Sequence, residues 1–160
     1  MMCRACRIIF VVTCLIFTAC VPTQPALGKR YDKPLTYAQA AVEKDIKFPL
    51  PPSAHNVYYG IYGEGQAYTM IVRFDAPAQD CLTHIDAVLS WDDKIYSRTS
   101  SYPRVTVTKV ERVDAGYLSP TPWFTPDRIK HGVHVGENGG HVPQIWVDLD
   151  KGTFYFRETD

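Results

Sequence analysis

The order of strand-like and helix-like patterns along this chain predicts an α+β domain, a mostly antiparallel β-sheet with two main helices packed on it. Three observations predict it. Between residues 77 and 90, Leu82, Ile85 and Leu89 recur at helical spacing, joined by Cys81 and Val88. Just before them, residues 66–75 alternate, with Tyr68, Met70, Val72 and Phe74 on one face and Ala67, Thr69, Ile71 and Arg73 on the other. Finally, 12 prolines, 10 glycines and 10 tyrosines in 160 residues fit short strands and many turns better than a helical bundle.

Each element has a local reason. Thr36-Tyr37-Ala38-Gln39 has the spacing of a capping box, and Ala-rich helix formers continue to Lys47. A helix over 37–47 is expected, presenting Ala38, Ala41, Val42 and Ile46 to the core. Phe48-Pro49-Leu50-Pro51-Pro52 stops it, because proline lacks the N–H and restricts the residue before it. Residues 56–62 are β-type, and Gly63-Glu64-Gly65 is a turn signal, so 56–62 and 66–75 should pair as a hairpin. Asp75-Ala76-Pro77 opens the second helix, with Pro77 at its first position and Asp80 near the positive end of the dipole. Ser90-Trp91-Asp92-Asp93 marks its expected end. Strands follow, weak over 94–99 and firmer over 105–113. Trp123 to Ile129 reads as a short helical turn with Thr125 as cap, Pro126 first inside and Gly132 as terminator. Residues 144–149 and 153–157 form a closing hairpin around Asp150-Lys151-Gly152. No internal repeat interrupts this order.

The first 19 residues belong to a different category. Arg4 and Arg7 precede a ten-residue apolar run, 8–17, and small residues follow at Thr18 and Ala19. Basic start, short apolar middle and small-residue end are the plan of an export signal. The run is half of the ~20 residues a bilayer-spanning helix needs. With residues 1–19 removed, 141 residues remain, carrying 15 basic and 17 acidic side chains, a net charge of −2. That length buries about two-thirds of its unfolded surface and needs no metal or disulfide staple. Its mild acidity argues against nucleic acid as a partner and gives no reason to invoke anionic lipid headgroups. Cys3, Cys6 and Cys14 leave with the signal, so their spacing carries no redox or metal chemistry.

Phe17-Thr18-Ala19-Cys20 resembles the lipobox of bacterial lipoproteins, with Phe17 standing where that class usually has Leu or Val. The resemblance implies cleavage before Cys20, attachment of a diacylglyceryl group to its thiol, and frequent acylation (palmitate among the chains) of the freed amine. Lipidation at Cys20 makes the membrane the first partner and leaves Cys81 as the one free thiol of the processed chain. In the enteric version of the sorting rule, Val21 rather than Asp permits passage to the outer membrane, facing the periplasm, if the host is Gram-negative. The expected organisation is a signal peptide over 1–19, a lipidated cysteine with a proline-containing tether over 20–35, and one domain over 36–160. The second half of the tether is equally compatible with packing along the domain. Phe48-Pro-Leu-Pro-Pro-Ser-Ala-x-Asn56, Trp123-Phe124-x-Pro-Asp-x-Ile129 and Trp146-Val-Asp…Gly152-Thr-Phe-Tyr-Phe156 resemble a class of small uncharacterised bacterial lipoproteins. That likeness implies a similar fold and carries no catalytic residue.

Few constellations carry chemistry. His131, His134, Glu137 and His141 lie within eleven residues, and imidazole and carboxylate suit zinc or copper. A strand over 133–135 sends His131 and His134 to opposite faces unless Gly132 bends the chain. Cys81 and His84, three apart on a helix, have nucleophile–base spacing, but the thiol lies on the Leu82/Ile85 side where a small hydrophobe belongs. Asp92-Asp93 and Asp148/Asp150 lack a third ligand at calcium-loop spacing and read as solvated turns. No phosphate-binding, dinucleotide or hydrolase motif occurs, so no cofactor and no catalytic residue is assigned. Tyr58 and Tyr62 share one strand face, opposite Val57, Tyr59 and Ile61, and Trp146 lies opposite Ile145 and Val147. Exposed, these aromatics suit an envelope protein, peptide or glycan; covered, they are core. The functional expectation is a non-enzymatic binding or accessory domain on a lipid anchor in the cell envelope. The alternative is a small envelope enzyme or metal-binding protein built on the His131/His134/His141 loop.

Overall fold

The structure, a computed structural model, describes residues 30–44, 46–64, 67–96, 104–107, 121–136 and 143–159. Residues 1–29, with Cys20, lie outside that range, as do His141, Glu137 and residues 108–113 of the strand expected over 105–113. Seven strands form one sheet: β1 (Arg30–Leu35), β2 (His55–Glu64), β3 (Ala67–Asp75), β4 (Arg104–Val107), β5 (Gly132–Val135), β6 (Gln144–Asp148) and β7 (Thr153–Thr159). Their spatial order is β1-β2-β3-β7-β6-β5-β4, and every neighbouring pair is antiparallel. The sheet is two meanders, β1–β3 and β4–β7, welded along β3 and β7. With two helices, α1 (Tyr37–Val42) and α2 (Ala78–Tyr96), packed on it, the fold is α+β, as the alternation of patterns predicts.

Period-two alternation sorts the side chains. One face carries Val57, Tyr59, Val72, Phe74, Val135, Ile145, Val147, Phe154 and Phe156, all buried. Helix α2 closes this face with Cys81, Ile85 and Val88, and α1 adds Ala40. Between the helices, the proline-rich crossing inserts Phe48, whose ring centroid lies 4.8 Å from Phe156 and 5.5 Å from Trp91. Phe74 and Phe154, cross-strand partners, stack at 4.8 Å. Each such ring contributes about 1.5–3 kcal/mol relative to an exposed one.

Several boundaries depart from expectation, each for a physical reason. Residues 30–35, expected in the tether, form edge strand β1, where Pro34 costs no interior hydrogen bond. The capping box at Thr36 forms in full, but α1 ends at Val42 because Glu43 turns extended, which brings Ile46 and Phe48 onto the core. Its orientation also differs: Ala40 faces the sheet, whereas Ala38, Ala41 and Val42 are exposed. Helix α2 continues six residues past the expected stop, since Trp91 packs against Phe48 and Phe156 and rewards another turn. This overrides the weak strand expected from 94. Pro77 sits just outside α2 as defined, its carbonyl accepting from the amides of Asp80 and Cys81. Gly132 does not end the short turn but begins β5, and a Cβ there would meet the Val147 carbonyl at 2.3 Å.

Two irregularities set the register. Asn56 adopts φ 47° where β2 carries one residue more than β3 between His55/Asp75 and Tyr58/Arg73, a β-bulge. In the β6–β7 turn, Asp148 Oδ1 accepts from the amides of Asp150 and Lys151, and Gly152 adopts φ 63°. The Gly152 carbonyl then accepts from Ala76 N at 2.8 Å, tying the hairpin to the entry of α2.

Candidate functional site

The outer face of the sheet presents Tyr58 and Tyr62 from β2, Ile71 and Arg73 from β3, Tyr155 from β7, Trp146 from β6 and His134 from β5. A strap, residues 121–131, crosses it. Within the strap Pro126–Arg128 makes one 3-10 turn with Pro126 in its first position, as expected. Thr125 flanks that turn without capping it through its side chain; its hydroxyl instead lies 3.4 Å from the Tyr155 hydroxyl.

Three aromatic contacts hold the strap down. Trp123 stacks on Tyr58 at 5.3 Å and 19°, and its Nε1–H donates to Asp32 Oδ1 at 3.2 Å. Phe124 stands edge-on to Trp123, Trp146 and Tyr155. Ile129 packs with Trp146 and Tyr155. In consequence Trp146, Tyr155, Trp123 and Tyr62 are buried, while Tyr58 is half-buried. The aromatic face expected as core or as binding platform is therefore covered, and an irregular strap rather than a helix covers it.

Charge is built into this layer. The Arg73 guanidinium lies over the Tyr58 ring at 5.1 Å, and its Nη2 donates to Asp75 at 3.0 and 3.2 Å. Asp75 also accepts from Asn56 Nδ2 and Thr153 Oγ1. At the opposite end Arg30 lies over Tyr62 at 5.2 Å and donates to Asp32 at 3.0 Å. Burial pushes the Tyr62 hydroxyl pKa upward, and Asp32 adds to the shift; Arg30 and a hydrogen bond with Thr121 oppose it. Cations over aromatic faces with carboxylates behind them make a mutually engaged, closed layer. Arg30–Asp32 and Arg73–Asp75 are each two residues apart, but the contacts that build them into this layer are distant in the chain, 91 residues from Asp32 to Trp123 and 78 from Asp75 to Thr153, and no local pattern shows them.

The other expected groups separate. His131 is exposed and its Nδ1–H donates to Asp150 Oδ1 at 3.1 Å, whereas His134 lies half-buried and parallel to Trp146 at 5.2 Å. Burial pushes the His134 pKa down. His131 and His134 thus do different jobs, and no group of three potential metal ligands occurs among the described residues. Cys81 is fully buried, its thiol directed at the Ala76 carbonyl at 3.7 Å, and its pKa is pushed up to about 12, chiefly by burial and then by Asp80 and Asp75. His84 turns away to donate Nε2–H to the Pro49 carbonyl at 2.9 Å, its ring edge-on to Phe74 and Phe154. The acidic pairs are not solvated turns as a set: Asp92 is fully buried on α2 and Asp148 is buried beneath its own turn. Among the described residues no helix is long and apolar enough to cross a membrane. No protein family matches the chain, and no curated protein or solved structure matches it.

Proposed function

We propose that this chain is a bacterial lipoprotein, anchored through lipid on Cys20, whose domain serves as a non-enzymatic binding or accessory module of the cell envelope. One observation carries the reading: Arg4 and Arg7, the apolar run 8–17 and Ala19-Cys20 stand in the order and spacing of a lipobox signal. Each buried acyl methylene contributes about 0.8 kcal/mol, so two or three chains hold the protein stably. Nine residues separate Cys20 from the start of β1 at Arg30, giving the domain a reach of at most about 30 Å from its anchor. With Val21 next to the cysteine, the favoured destination in a Gram-negative host is the outer membrane, facing the periplasm. Non-enzymatic service is supported by the work already given to the candidate nucleophile and bases among the described residues. Cys81 is packed and held protonated, His84 braces the proline crossing, His131 pairs with Asp150 and His134 stacks on Trp146.

The test is metabolic labelling with radioactive palmitate, comparing the wild-type chain with Cys20→Ala. Label is expected on the processed wild-type protein and absent from the variant, which should accumulate uncleaved. An unlabelled wild-type protein overturns the reading.

A further inference from the structure

Helix α1 presents its apolar side outward. Ala40 alone of its six residues is buried; Tyr37, Ala38, Ala41 and Val42 are exposed, Val42 by 77%. A helix in a soluble domain normally does the reverse, placing apolar residues on the covered side. Around the helix axis from Ala40, Tyr37 lies about 60° away, Ala41 about 100°, and Ala38 and Val42 about 160° to either side, so these four share one arc, with exposed Gln39 on the other flank. Lysines border it: Lys33 on β1, with Lys44 and Lys47 just beyond the helix, are all exposed. Of the nearby acids among the described residues, Asp32 is engaged by Arg30 and Trp123, and Glu43 by the Tyr31 hydroxyl at 2.6 Å.

We infer that this face of α1 docks on the bilayer to which Cys20 is tethered, Val42 and Tyr37 entering the headgroup layer and the three lysines meeting anionic lipid headgroups. The inference rests on the lipid-anchor reading above. Three features select a bilayer as the occupant. The tether ends at Arg30 and the six residues of β1 lead straight into α1, so the face lies within reach of the anchor's own membrane. Among the described residues, three exposed lysines border it against one exposed carboxylate, Asp32, which Arg30 and Trp123 engage, although the processed chain as a whole is slightly acidic. Exposed apolar residues ringed by lysine are the composition of an interfacial helix, which sinks about 5–10 Å into the headgroup boundary.

The experiment uses the full lipidated chain in vesicles of phosphatidylethanolamine with a minor share of phosphatidylglycerol. An environment-sensitive fluorophore is placed at Val42→Cys and, separately, at Asp127→Cys in the strap on the opposite side of the sheet; buried Cys81 does not compete for label. With lipids brominated high on the acyl chain, quenching at position 42 is expected to exceed that at 127 by about twofold or more. Exchanging phosphatidylglycerol for phosphatidylcholine should reduce the difference. Equal, weak quenching at both positions overturns the inference. So does a blue shift at 42 that grows with protein density yet ignores bromine, which assigns the face to a second copy of the chain. Palmitate labelling reports the anchor separately, so a labelled protein with an unquenched α1 refutes this inference alone.

Discussion

Removing the Trp123 indole tests whether the strap is a second layer of core or a loose cover. Trp123 is 6% exposed, stacked on Tyr58 and hydrogen-bonded to Asp32. Trp123→Ala deletes the largest apolar group between strap and sheet, a change that costs about 3–5 kcal/mol in well-packed interiors. The lost hydrogen bond adds little, because the Asp32 side chain is 55% exposed and water can replace the indole N–H. The strap can also settle partly into the space, so the expected loss is about 3–4 kcal/mol, on the order of 10 °C in Tm for a domain of this size. Trp123→Phe keeps a ring over Tyr58 and should cost about 1–2 kcal/mol. In a double-mutant cycle with Tyr58→Ala, stacking predicts a coupling of about 0.5–1.5 kcal/mol. Guanidinium unfolding of the four proteins reads all three numbers. A loss below about 1 kcal/mol for Trp123→Ala, with no coupling to Tyr58, would refute the assignment of residues 121–131 as structural cover.

Gly152→Ala should destabilise by about 3 kcal/mol or more in the same unfolding assay, since the new Cβ meets the Ala76 carbonyl at 2.2 Å in a left-handed backbone; an unchanged midpoint would show the turn tolerates it. His84 and His134 both have pKa values lowered by burial, partly offset at His84 by its bond to Pro49. A histidine depressed in the folded state contributes stability that is fully present above the unfolded value near 6.5 and is lost as pH falls toward the folded value. Stability should therefore decline from pH about 7 to 5.5, with a shallower decline in His84→Gln, and coincident profiles would remove His84 as a cause. Cys81 should react with a thiol reagent at pH 8 only as fast as the domain opens, accelerating under denaturant; prompt modification of the native protein contradicts its burial.

Local periodicity made much of the fold legible. Residues 70–74 alternate because one side joins the core under α2 and the other meets the strap and its neighbours, and the hairpin at Asp150-Lys151-Gly152 is written in its turn chemistry. What local pattern does not contain is the pairing of β3 with β7, which closes over 90 residues between Thr69 and Thr159. Ser90-Trp91-Asp92-Asp93 looks like a polar stop, yet Trp91 finds Phe48 and Phe156 only in the assembled core and carries α2 onward. The apolar pattern of α1 is equally readable but its direction is not, since Ala38, Ala40 and Ala41 are the same residue and only the path of the chain from β1 decides that Ala40 faces the sheet. His131 precedes β5 and bonds Asp150 while His134 stacks on Trp146, partners that no local pattern names. The Arg30–Asp32–Trp123 contact did not show, because charge and indole are brought together by topology alone.

The weld between the two meanders has a temporal consequence. Synthesis runs from β1 to β7, so β3 and the helix that follows it leave the ribosome long before the strand that covers their open side. Until β7 is made, the hydrogen-bonding edge of β3 has no strand to pair with and Phe74 lacks its stacking partner Phe154, and closure over so long a loop is slow. The two meanders therefore join into one sheet only once β7 has been made.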